Sequence, residues 1–150
     1  MKKIRNPLAT TLVSLLLVAA GAAPAPAAGA YDYDRQNACR TAKGSSGCSP
    51  GIVVKHWHKK GAKARGVGWV YASTEVAGKR KKYEARWLYQ RPGGTLTAAT
   101  GWKKAQRPAD TTFVEVHWGR DGRTGPQYPV GTRICVEFRG VGERLCVRLR

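Results

Sequence analysis

Two sets of side chains in this sequence have the types and spacing for chemistry. His56 and His58 flank Trp57 within Lys55-His56-Trp57-His58-Lys59. In an extended strand successive side chains alternate, so both imidazoles fall on one face, a spacing that chelates Zn²⁺ or Cu²⁺. No carboxylate stands near them in the sequence, and Ile52 and Val54 share their face. They are therefore read as structural histidines, with metal ligation as the alternative and no cofactor implied. His117 would supply a third ligand only if its strand lay alongside.

The second set is cationic. Lys55, Lys59, Lys60, Lys63 and Arg65 form one cluster, and Lys79, Arg80, Lys81 and Lys82 form another. Neither cluster contains an acid, and Trp57 lies inside the first. The chain carries 27 Lys and Arg against 9 Asp and Glu, a formal charge of +18. Such a surface attracts polyanions by releasing their counterions, whatever the sequence of the polymer. Trp57 among the lysines suits stacking on a base or sugar. The competing account of the charge is plain solubility.

Recognisable enzymes are poorly represented. A small ribonuclease needs a general base, a general acid and a cation for the phosphate. Glu115 with His117, and Glu84 with Arg86, could furnish these if their strands met. Cross-strand ion pairing accounts for the same residues. There is no nucleophile elbow, zincin motif or phosphate-binding glycine loop.

Residues 1–30 read as a secretory signal peptide. Lys2, Lys3 and Arg5 precede an apolar run from Leu8 to Ala23, and Ala28-Gly29-Ala30 is a small-residue cleavage site. The run is short of the ~20 residues a membrane-spanning helix needs. The leader composition suits a bacterial exported protein. Removing it leaves a charge of +15 on residues 31–150. The expected location is extracellular or at the cell envelope, with no integral membrane segment after leader removal.

An exported chain with four cysteines is expected to form two disulfides. Cys39–Cys48 and Cys135–Cys146 are the favoured pairs. Gaps of eight and ten residues are too long for the close pairs of a structural zinc site. The second pair follows from strand register. Placing Cys135 opposite Cys146 sets Val136 against Leu145 and Ile134 against Val147 on one face. Glu137 then meets Arg144 on the other, polar face, where the disulfide also lies.

From Ile52 onward, alternation dominates. Strands are expected over Ile52–His58, Val67–Val76, Lys82–Gln90, Thr95–Trp102, Thr111–Trp118, Thr132–Arg139 and Glu143–Arg150. Trp69, Trp87 and Trp118 are read as core, while Trp57 and Trp102 are open to either role. Residues 31–51 are expected to be a polar loop closed by a disulfide, and Gly119–Pro129 a second long loop. The result is an all-β chain, a small antiparallel β-sandwich or barrel of about seven strands over 52–150 with two local disulfides.

The function expected from these features is non-enzymatic electrostatic capture of anionic polymers such as teichoic acid, extracellular DNA, anionic lipid or acidic polysaccharide. The residues expected to carry it are the two basic clusters and Trp57. The alternatives are a protein-binding module such as a protease inhibitor, presenting Arg40–Lys43 or Gly119–Gln127, and the small ribonuclease.

Overall fold

The computed structural model describes residues 30–41, 48–76, 82–142 and 144–150. The expected leader lies outside them except for Ala30, as do Lys43, Lys79, Arg80, Lys81 and Glu143. Ten strands occur among the described residues: β1 Tyr31–Cys39, β2 Gly51–Lys59, β3 Ala64–Glu75, β4 Glu84–Gln90, β5 Thr97–Ala98, β6 Lys103–Lys104, β7 Phe113–Gly119, β8 Gln127–Pro129, β9 Arg133–Phe138 and β10 Arg144–Arg148. No described helix is long and apolar enough to cross a membrane.

The strands form two antiparallel sheets. One runs β1-β2-β3-β7, with β8 also pairing β3. The other runs β10-β9-β4-β5, with β6 also pairing β4. Their inner faces meet as a small sandwich. Ile52, Val54, Val70, Ala72, Val114 and Val116 come from the first sheet. Ala85, Trp87, Ile134, Val136, Phe138 and Val147 come from the second. Tyr128 on β8 stands edge-on to Trp87, with ring centroids 6.2 Å apart, and lies 4.8 Å from Tyr89. These contacts join the two sheets through large aromatic surfaces.

The β9–β10 register is the one expected: Cys135 faces Cys146, Val136 faces Leu145, Ile134 faces Val147 and Glu137 faces Arg144. Both disulfides form as expected, Cys39–Cys48 and Cys135–Cys146. Among the described residues there is no free cysteine, which suits an oxidising, extracellular-type environment.

Several expectations are corrected. Residues 31–39 are not loop: β1 pairs with β2 over nine consecutive positions, from Tyr31 opposite Lys59 to Cys39 opposite Gly51. It lies at the sheet edge, paired only with β2, and most of its side chains are polar and exposed, with Ala38 packing against the core. Backbone hydrogen bonds rather than apolar burial therefore specify it. The loop expected over Gly119–Pro129 contains β8, which closes against Ala64–Gly66 of β3. The single strand expected over Thr95–Trp102 is instead the short β5, followed by β6 at Lys103–Lys104.

Trp69 is also displaced from the core. Val70, Ala72 and Thr74 point inward on β3, which leaves Trp69 stacked on Tyr71 on the outer face, 5.7 Å between centroids. The register between β2 and β3 shifts between Lys55 and His56, so that Lys55 faces Trp69 and His56 faces Val67. One extra residue on β3 resets which side chains face inward, as a bulge does.

Candidate functional site

The cations are best located strand by strand. Lys59, Lys60 and Lys63 are exposed on the turn between β2 and β3. Lys82 is exposed just before β4. Twelve residues of β3, about 35–40 Å of extended chain, separate the two positions. Lys59, Lys60 and Lys63 thus precede β3 and Lys82 follows it in the chain, while Lys79, Arg80 and Lys81 lie outside the described residues.

Three residues from the first cluster serve the fold. Lys55 pairs with Asp121 and lies 5.2 Å over the Trp69 ring. Arg65 donates from Nε to the Arg150 carbonyl and from Nη1 to the Ala62 carbonyl at 2.7 Å, which fastens the last strand to the turn. Trp57 donates from Nε1 to the Thr124 carbonyl at 2.8 Å and stands edge-on to Tyr31 at 5.9 Å. Its indole lies against Gly66, where a Cβ would come within 2.2 Å of the ring. The Gly119–Gln127 segment is held down by these same Asp121 and Thr124 contacts.

The outer face of the second sheet holds arginines that sequence reasoning did not single out. Arg133 and Arg148 stand directly opposite each other across β9 and β10. Arg91 joins them around a cleft of about 510 Å³ that also includes Gln90, Gly93 and Gly131. Arg133 donates to the Gln90 side chain at 3.1 Å, and Arg91 lies 5.8 Å over the Tyr89 ring. Among the described residues no carboxylate pairs with Arg91, Arg133 or Arg148. Like charges directly opposed on a sheet repel, so this arrangement works against the fold unless an anion joins it.

This cleft lies at the same end of the sandwich as the exposed lysines. The Val130 amide donates to the Lys63 carbonyl at 2.9 Å, and Arg133 begins β9 three residues later. Lys59, Lys60, Lys63, Arg91, Arg133 and Arg148 therefore border one end. The signal for the arginine pair was present in the sequence, because the hairpin register already set Arg133 opposite Arg148.

No family model, curated protein or solved structure matches this chain. The site is therefore read from its own chemistry.

The acids at this end gather on the histidines. Pairing of β1 with β2 sets Asp34 opposite His56 and Asp32 opposite His58. Asp32 Oδ2 lies 3.4 Å from His58 Nε2, and Asp34 Oδ2 lies 3.7 Å from His58 Nδ1. His56 is 2% exposed, and neither of its nitrogens has a hydrogen-bond partner among the described residues. Burial lowers the His56 pKa below its ordinary value. Asp34 opposes that shift, while Arg65 and His58 reinforce it. A buried, unpartnered polar group costs about 1–3 kcal/mol, so His56 is an expensive residue to keep for packing alone.

The ribonuclease set does not assemble. Glu115 and His117 lie on the outer face of the first sheet, where Glu115 accepts from the Tyr71 hydroxyl at 3.0 Å. Glu84 and Arg86 lie on the outer face of the second, on the far side of the core. A second opening, about 570 Å³ at the sandwich edge, is lined by Trp87, Tyr89, Trp118 and Tyr128 and by no charged side chain. It offers nothing to a polyanion.

Proposed function

We propose that this protein is exported and captures phosphodiester-bearing polymers, such as teichoic acid or extracellular DNA, through the cationic end of its sandwich. One observation carries the reading: Arg133 and Arg148 oppose each other beside Arg91 with no carboxylate among the described residues paired to them. Guanidinium groups present planar forks that match phosphate oxygens. Lys59, Lys60 and Lys63 add point charges around the cleft and attract the polymer from a distance. Export is supported by the leader-like residues 1–30, by the two disulfides and by the charge of the mature chain.

The mechanism is local charge neutralisation, with little selectivity for the order of units along the polymer. Binding of the pure protein to duplex DNA and to poly(glycerol phosphate), followed across a salt series, tests it. Log affinity should fall linearly with log salt, by about 0.9 per phosphate neutralised on the duplex. Neutralising Lys59, Lys60 and Lys63 together should flatten that line. Absence of binding to either polymer in low salt would leave solubility as the account of the charge.

A further inference from the structure

We propose that Asp34, His56 and His58 form a binding site for a divalent transition-metal ion, Zn²⁺ or Cu²⁺, on the inner face of the β1–β2 ribbon. One donor atom from each of these three residues lies within 4.8 Å of the others. Donors around a tetrahedral zinc ion sit roughly 3.3–3.5 Å apart, given bonds of about 2.0–2.1 Å. The separation of 3.7 Å between Asp34 Oδ2 and His58 Nδ1 is already close to that. Small side-chain rotations bring in the third donor.

A second observation points the same way. His56 is almost fully buried, and both its nitrogens lack hydrogen-bond partners among the described residues; His58 Nδ1 is likewise buried and without one. Buried polar atoms are nearly always satisfied, and those that are not call for a ligand, an ion or a water. Here the unpartnered atoms belong to two imidazoles and face a carboxylate. That donor set suits borderline transition ions and not Ca²⁺ or Mg²⁺, which take oxygen.

Asp32 completes the arrangement as a positioning residue. Its Oδ2 lies 3.4 Å from His58 Nε2, the nitrogen that the ion leaves free. A carboxylate on the remote nitrogen fixes the tautomer and turns the ring so that Nδ1 faces the metal. The backbone contributes too. Pairing of β1 with β2 sets Asp34 opposite His56 and Asp32 opposite His58, which brings the carboxylates to the imidazoles. Asp34 is half exposed, so the fourth position opens to solvent. The Arg65 guanidinium, which acts on His56, is engaged by main-chain carbonyls.

Binding displaces whatever protons the two imidazoles and the carboxylate carry, and changes no oxidation state. The test is a titration of the untagged, chelator-treated protein with Zn²⁺, and separately with Cu²⁺, by calorimetry and by melting temperature. Co²⁺ serves as a spectroscopic reporter of coordination. The expected result is saturable 1:1 binding of Zn²⁺ or Cu²⁺ and a rise in melting temperature. Binding should weaken about 10–100-fold in Asp32→Asn, in line with loss of an outer-shell partner, and be lost in Asp34→Asn and His58→Gln. Asp32 and Asp34 are half exposed, so their variants should fold, and circular dichroism checks this. Failure of both ions to bind, or wild-type affinity in folded Asp34→Asn, overturns the proposal. Polyanion binding in chelator is a separate readout and stands or falls independently.

Discussion

The outer face of the second sheet carries two arginine clusters on the same three strands, and they are handled in opposite ways. At one end Glu137 is buried between Arg86 and Arg144, paired with both. Arg139 pairs with Glu84 at 2.8 Å, and Trp102 lies beneath the Arg86 and Arg139 guanidiniums at 4.5 and 4.7 Å. Every charge there has an answering group. At the other end Arg91, Arg133 and Arg148 have an amide, a disulfide sulfur, an aromatic face and open solvent, but no carboxylate among the described residues. Leu88 and the Cys135–Cys146 disulfide lie between the two. The contrast shows that this face does accommodate arginine neutrally, so the uncompensated end is a specific feature and not a general property of a basic sheet.

Removing the acid from the balanced end gives the largest expected effect. Glu137→Gln leaves Arg86 and Arg144 without a carboxylate. The cost should be about 2–3 kcal/mol, below the range for a fully buried pair because Arg144 is half exposed. Chemical denaturation measures it. The same variant should bind DNA at least as well as the wild type, since it frees two cations. At the uncompensated end, Arg133→Gln with Arg148→Gln should weaken DNA binding roughly tenfold in low salt and reduce the salt slope by about 1.8. Its stability should change by no more than about 0.5 kcal/mol, and upward if at all.

Acid separates the two ends further. Burial pushes the Glu137 carboxyl up, but hydrogen bonds from Arg144 and Arg86 outweigh this and leave its pKa below the ordinary value. Its contribution to stability is present above the unfolded carboxyl's pKa and is lost as pH falls through the lower folded one. His56, also lowered, follows the same sign at higher pH. Its contribution is full above about pH 6.5 and fades as pH falls through its folded value. Melting temperature in chelator should therefore fall in two stages on acidification, with the second reduced in Glu137→Gln. The smallest effect belongs to Lys82→Gln. Far from the arginine cleft, it should alter DNA affinity less than about twofold at physiological salt, where charges beyond ~8 Å are screened.

How much of this was legible in the sequence depended on whether apolar burial or backbone pairing set each element. The β9–β10 hairpin was readable residue by residue because Ile134, Val136, Leu145 and Val147 alternate and two cysteines fix the register. The β4 face of Tyr83, Ala85, Trp87 and Tyr89 was readable for the same reason. By contrast, β1 gave no signal, because Asp32, Asp34 and Gln36 occupy the positions where a buried strand would carry apolar side chains. Missing β1 also hid the carboxylates of the histidine cluster. Asp34 and His56 are 22 positions apart in the sequence, and only the pairing brings them together. The inward face of β3 was misread because both its faces are apolar or aromatic, and the register shift erases the phase. Lysine runs are visible in the sequence as such, whereas the arginine cluster forms only when strand pairing brings Arg91, Arg133 and Arg148 together from separate segments.

Anions are expected to settle at the uncompensated end. The most direct measurement is an NMR titration with a short oligophosphate, following backbone amides and arginine Nε–Hε signals. Shifts should centre on Arg91, Arg133 and Arg148, extend to Lys59–Lys63 and fade with salt. Shifts centred on Arg86, Arg139 and Arg144, or spread evenly over the surface, would contradict it.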